Sequence, residues 1–111
     1  MRLVILETPY TGDIDTNVEY ARRCLGDCLR RGEAPIASHL LFTQPGVLKD
    51  DVPEERKLGI GAGHAWYRVA EASVVYTDRG MSSGMKVGIE VAERLGVPVE
   101  YRSLGQGWWL I

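Results

Sequence analysis

The chain has little of what would mark a specialised class. Its 111 residues include only two cysteines, two histidines and one phenylalanine, and the formal net charge is −2. A charge that small gives no broad attraction to a nucleic acid polymer or an anionic membrane. No apolar run approaches the roughly 20 residues needed to span a bilayer. The opening Met1-Arg2-Leu3-Val4-Ile5-Leu6 is too short for a secretory leader, and Glu7-Thr8-Pro9 ends it, so the expected location is the cytoplasm. Cys24 and Cys28 stand four apart on one predicted helix, which is poor disulfide geometry, and no Cys/His set completes a metal site. Reduced, buried thiols follow. Repeats and low-complexity tracts are lacking, and no motif calls for a cofactor or a metal.

What is present fits one α/β domain. The apolar fraction is 45% and the charged fraction 25%, ordinary values for a globular protein of this length. Leu3 to Leu6 is apolar without alternation, as a buried parallel strand is. A helix is predicted from Asp15 to Arg31, with Thr16-Asn17-Val18-Glu19 matching a capping box and Gly32 as its stop. Ala34–Ala37 reads as a second strand. Within Ser38–Val52, His39–Phe42 reads as either a helical turn or an extended apolar loop, broken by Gln44-Pro45-Gly46, and Pro53 then opens a third helical segment, 54–70. In it Leu58, Ala62, Ala65, Trp66 and Val69 recur at helical spacing as the inward stripe, while Gly59, Gly61 and Gly63 either weaken the helix or admit a close neighbour. Ser73–Thr77 is a strand, Ser83–Leu95 a helix, and Val97–Tyr101 an edge strand containing Pro98. The pattern predicts a flavodoxin- or Rossmann-like three-layer domain over residues 1–104. Its mostly parallel sheet would have about four strands in the order 2-1-3-4, followed by an apolar tail, 105–111.

In that order the crevice opens between the first and third strands, and the loops beside it carry the candidate chemistry. They are Thr8-Pro9-Tyr10-Thr11-Gly12-Asp13 and Thr77-Asp78-Arg79-Gly80-Met81-Ser82-Ser83-Gly84. Ser82, Ser83 and Gly84 open a helix and offer hydroxyls and free N–H groups to a phosphate or carboxylate; Gly80 and Gly84 bracket the turn, and Met85 follows it. Asp78 ends an apolar strand and suits either ribose hydroxyls or acid–base work, or a bond to its own turn. Tyr10 stands at the tip of the first loop and could stack on a base. Thr8, Gly12 and His39 also face the carboxyl edge, with Asp13, which could equally be a helix cap. His64 is placed away from the apolar stripe, toward solvent. Trp108, Trp109, Leu110 and Ile111 either fold over the core or join a second subunit, so a homo-oligomer is expected through them.

Taken together, Thr8–Asp13, Pro35-Ile36-Ala37-Ser38-His39-Leu40-Leu41, Ala65-Trp66-Tyr67-Arg68-Val69-Ala70, Ser82-Ser83-Gly84-Met85 and Gly96–Arg102 resemble the nucleoside 2-deoxyribosyltransferase-like superfamily. The likeness covers nearly the whole chain and is nearest to an uncharacterised branch common in bacterial and phage genomes. It implies a small flavodoxin-like domain acting at N-glycosidic bonds of nucleosides and nucleotides. It also implies a nucleophilic Glu on the last helix, a few residues after the Ser-x-Gly turn; aligned without gaps, that place falls on Gly88. Glu90 lies two residues on, about 200° around the helix, and would substitute only if the helix began differently. Tyr10 and Asp78 are similar to the superfamily's Tyr and Asp. Asp78 and Glu90 are then the candidate catalytic carboxylates. With no carboxylate at the nucleophile's place, the expected function is to bind or sequester a nucleotide-derived small molecule such as a phage or defence-related signal. The alternative is an N-glycosidic hydrolase or deoxyribosyltransferase.

Overall fold

The computed structural model describes residues 1–110. Its elements run β1 (Arg2–Glu7), α1 (Ile14–Arg30), β2 (Glu33–Ile36), α2 (Ser38–Leu41), α3 (Pro53–Ala65), β3 (Ala72–Tyr76), α4 (Ser83–Arg94) and β4 (Val99–Arg102). Single 3₁₀ turns follow at Trp66–Arg68 and Trp108–Leu110. The strands form one all-parallel sheet in the order β2-β1-β3-β4, as the sequence pattern implies. Side chains alternate across it. Val4, Leu6, Val74 and Tyr76 pack with Tyr20, Cys24 and Cys28 of α1. On the opposite face Ile5 packs with Tyr67, Val91 and Ala92, and Val75 with Met85 and Ile89. Each large aliphatic side chain so buried contributes about 1.5–3 kcal/mol. The two thiols are free and buried, and burial pushes both pKa values up.

The cap of α1 differs from the expected one. Asp13, not Thr16, is the N-cap: its carboxylate accepts bonds from Thr16 N at 3.3 Å and Thr16 Oγ1 at 2.8 Å. Thr16 is thereby already inside the helix, and the box predicted over Thr16–Glu19 is not used. At α4 the cap is Ser82, whose Oγ accepts from Met85 N at 3.2 Å, so this helix begins where the sequence puts it.

The stripe predicted on α3 faces outward. Leu58 is 63% exposed, Val69 58% and Trp66 45%. The packed face is the glycine face instead, because α2 and the segment after it press against α3. A Cβ on Gly63 would collide with Ser38 Oγ and meet Ser38 Cβ at 3.0 Å, and one on Gly59 would meet Leu48 Cδ1 at 3.2 Å. The close approach of Ser38 and Leu48 leaves room only for small residues, so Gly59 and Gly63 take the packed side and the apolar stripe faces out. The 3₁₀ turn after α3 then carries Tyr67 into the core, 2% exposed.

At the tail, Trp108 is 7% exposed and meets Tyr20 edge-on, ring centroids 4.8 Å apart. Trp108 thus takes the first of the two alternatives, folding over the chain's own core. Trp109 and Leu110 remain exposed; Ile111 lies outside the described residues. No described helix is long and apolar enough to cross a membrane.

Candidate functional site

At the carboxyl end of β1, beside the start of α4, lies a cavity of about 280 Å³. That is just under the roughly 300–1,000 Å³ usual for small-ligand sites. Four parts of the chain build it. The end of β1 and its loop give Glu7, Thr8, Tyr10 and Thr11, α2 gives Ser38 and His39, α3 and its approach give Asp50, Arg56, Ile60 and His64, and the α4 start gives Ser82–Met85. A second groove of about 480 Å³ along Val18, Leu25, Leu40 and Leu41 is lined by neither a carboxylate nor an imidazole.

Thr8, Tyr10, His39, Ser82, Ser83, Gly84 and Met85, all singled out by sequence, therefore line one cavity. Asn17 holds the first loop there. It is 4% exposed, and its amide donates to the carbonyls of Tyr10 and Thr11 at 2.9 and 3.1 Å while its oxygen accepts from Arg79 Nε at 2.8 Å. One buried amide thus ties the first crevice loop to the second. The α4 start presents unbonded helix-terminal N–H groups beside the Ser83 hydroxyl, a setting favourable to an anion.

Asp78 is not among the lining residues. Its carboxylate accepts bonds from Tyr20 Oη at 2.6 Å, Ser103 Oγ at 2.7 Å, Leu104 N at 2.9 Å and Gly105 N at 3.0 Å. Burial pushes its pKa up, but those bonds outweigh it and hold the carboxyl below its ordinary range. Its capacity is used on the protein itself, so Tyr10 and the Ser82–Gly84 turn share the cavity without Asp78. Glu90 is exposed on α4 and also lies off the cavity. The helix begins at Ser83 as aligned, leaving no shift that would turn Glu90 inward. Gly12 and Gly80 serve their turns at φ +104° and +82°, and Asp13 caps α1.

Beside His39, which the sequence named, residues missed by sequence reasoning carry much of the chemistry. His39 Nε2 stands 2.6 Å from Thr8 Oγ1, and burial draws its pKa down to about 4, so the ring is neutral near pH 7. His64, expected in solvent, lines the cavity and meets Tyr67 edge-on at 6.1 Å. Arg56 pairs with Asp50 at 2.7 Å. The most unusual group is Glu7. Alternation along β1 puts it on the same face as Ile5, and its Oε2 is buried with no hydrogen-bond partner, as is Tyr67 Oη. Burial pushes its pKa up to about 8, a rise the neighbouring Tyr67 hydroxyl reverses only in part.

Glu7 admits a stability test. Folded, it holds its proton up to about pH 8; unfolded, it releases it near its ordinary value of 4.5. The stability this group contributes is whole below about pH 4.5 and is lost as pH rises toward 8, because the unfolded chain ionises first. Glu7→Gln removes that loss. Urea unfolding should show Glu7→Gln gaining on the parent protein between pH 4.5 and pH 8.5. An advantage constant across that range would mean the carboxyl is not held neutral.

The fold and the cavity together define a single flavodoxin-like α/β domain with its chemistry-bearing side chains gathered at the topological switch point. Residues 2–102 match the family model described as Domain of unknown function (DUF7768), and the chain belongs to that family. Among solved structures, the fold is similar to a 2-deoxyribosyltransferase from the psychrotolerant bacterium Bacillus psychrosaccharolyticus. The TM-score is 0.65 and the identity 18%, over 94% of this chain and 74% of that one. At that identity the likeness is one of fold. No curated protein matches the chain.

Proposed function

We propose that the cavity takes a nucleoside or nucleotide and that its N-glycosidic bond is cleaved there. The observation that carries this is the Glu7 carboxyl, its Oε2 buried without a hydrogen-bond partner, in the same cavity as Tyr10, His39 and the Ser82–Gly84 helix start. Burial favours the protonated form of that carboxyl near neutral pH, a form able to give its proton to a departing base. Hydroxyls and helix N–H groups at one end suit a phosphate or ribose hydroxyl, and the Tyr10 ring at another suits a base. The shared fold is that of an enzyme described as a 2-deoxyribosyltransferase suited to the synthesis of nucleosides, which supports the same substrate class. Transfer to a second base and transfer to water both begin with this cleavage.

The test is incubation of the protein with a panel of nucleosides, nucleoside monophosphates and cyclic dinucleotides, followed by chromatography. Release of free base is the expected result. Recovery of intact ligand from the heat-denatured protein, with no free base, would replace cleavage by sequestration. Neither release nor retention would remove the nucleotide reading altogether.

A further inference from the structure

The helix α4 is interrupted, chemically, at Gly88. The position is buried, yet the space a side chain would fill there is not vacant. A Cβ on residue 88 would collide with Glu7 Oε2, stand 2.8 Å from Glu7 Cδ, and lie 2.9 Å from Tyr67 Oη. The glycine in a helix and the glutamate ending a strand therefore form one arrangement. Gly88 costs roughly 1 kcal/mol of helix stability against alanine, and burying Glu7 Oε2 without a hydrogen bond costs further stability. Neither residue makes sense for the fold alone, which alanine in the helix and an apolar side chain at the strand end would serve better. Losses of this kind concentrate where function requires them.

The geometry points to Glu7, seated against Gly88 at the carboxyl end of β1, as the general acid that protonates the departing base of a nucleoside or nucleotide. This rests on the cleavage reading above and assigns its acid. The carboxyl proton moves to a ring nitrogen of the base as the C1′–N bond breaks, and the bonding pair leaves with the base. Water adds to C1′ through its oxygen, its surplus proton passes to solvent, and the Glu7 carboxylate regains a proton from solvent. Burial keeps Glu7 in the acid form at neutral pH, the form this role requires. His39, neutral beside Thr8, cannot take that role without first binding a proton its surroundings disfavour. Asp50 is committed to Arg56.

Guanosine and 7-methylguanosine separate an acid from a structural residue. The 7-methyl base already carries a positive charge and leaves neutral without an added proton, whereas guanine needs one. The parent protein should cleave both. Glu7→Gln should lose about 10²–10⁴-fold in kcat/KM on guanosine, the range for one general acid, and less than about tenfold on 7-methylguanosine, whose departure needs no acid. Cleavage of guanosine by the parent should fall as pH rises through about 8. Should Glu7→Gln fail to fold, Gly88→Ala, whose methyl displaces the carboxyl, should show the same selective loss. An equal loss on both substrates would overturn the acid assignment and leave cleavage standing. A parent protein that releases no base from any member of the nucleoside and nucleotide panel would end the cleavage reading, and this assignment with it.

Discussion

Replacing Arg102 with alanine is expected to lower the unfolding free energy by about 3 kcal/mol, the low end of the usual cost of breaking a buried ion pair, because Arg2 stays on Glu33 at 2.7 Å. Arg102 on β4 meets Glu33 on β2 through two bonds of 2.7 Å, with side chains 8% and 7% exposed. Its guanidinium also donates to Glu100 at 3.1 Å and Tyr76 Oη at 3.3 Å. Arg2 closes the set, reaching Glu33 and Glu100 at 2.7 Å each. Arg2 and Glu100 are more than a third exposed, so water screens their pair and its share is small. The Arg102–Glu33 contact dominates because neither group can return to solvent. Arg102, with Arg2 beside it, holds the Glu33 carboxyl down at about 2 against an ordinary 4.5, overcoming the opposing effect of burial. A depressed carboxylate contributes stability that is complete above the unfolded pKa and is lost as pH falls through the folded one. The parent protein should therefore weaken between pH 4.5 and pH 2, and the Arg102→Ala variant should have forfeited most of that dependence. Urea titrations at pH 7 and pH 3 read both effects. A loss under about 1 kcal/mol at pH 7 would place the pair with ordinary surface contacts.

Most of the fold was legible because parallel strands and their crossovers write themselves as apolar runs and helical periods. β1, β3 and α4 needed no more than that, and the reversal between β1 and β3 located the cavity. The face of α3 was not legible. Leu58, Ala62 and Val69 carry the periodicity, and only the approach of Ser38 and Leu48 makes the glycine side the packed one. Asp78 was misplaced for a related reason. Position after a strand says that a carboxylate reaches the carboxyl edge, not which partners it meets, and its partners at Ser103–Gly105 come from the far end of the chain. Glu7 had a readable signal that went unused. Period two along β1 puts it with Ile5 on the α4 face, at the last position of a central strand, where a charged residue is out of keeping with the core. Gly88 gave no such signal on its own, and only the structure shows that the space beside it holds the Glu7 carboxyl from β1.

Asp78→Ala should destabilise the fold by about 3 kcal/mol, from loss of charge-assisted bonds and the stranding of buried donors, while leaving the cavity's chemistry largely in place. Its carboxylate is the only acceptor for Tyr20 Oη among the described residues, and Tyr20 is fully buried. The same hydroxyl accepts from Asp78 N at 2.9 Å, so the side chain and its own backbone clamp α1 to the β3–α4 turn. Two further bonds, to Leu104 N and Gly105 N, hold the segment that delivers Trp108 onto Tyr20. Removing the carboxylate should therefore loosen the tail as well as the turn. Tryptophan fluorescence should shift to the red as Trp108 gains water, with a thermal midpoint lower by about 10–20 °C for a chain of this size. Asp78→Asn should retain part of the stability, since one amide oxygen accepts only some of the bonds and its NH₂ faces donors. The separation from Glu7 is then clear-cut. If Asp78→Ala keeps its melting point and instead loses base release on guanosine and 7-methylguanosine alike, Asp78 acts on the ligand, and the division between clamp and cavity drawn from the hydrogen bonds is wrong.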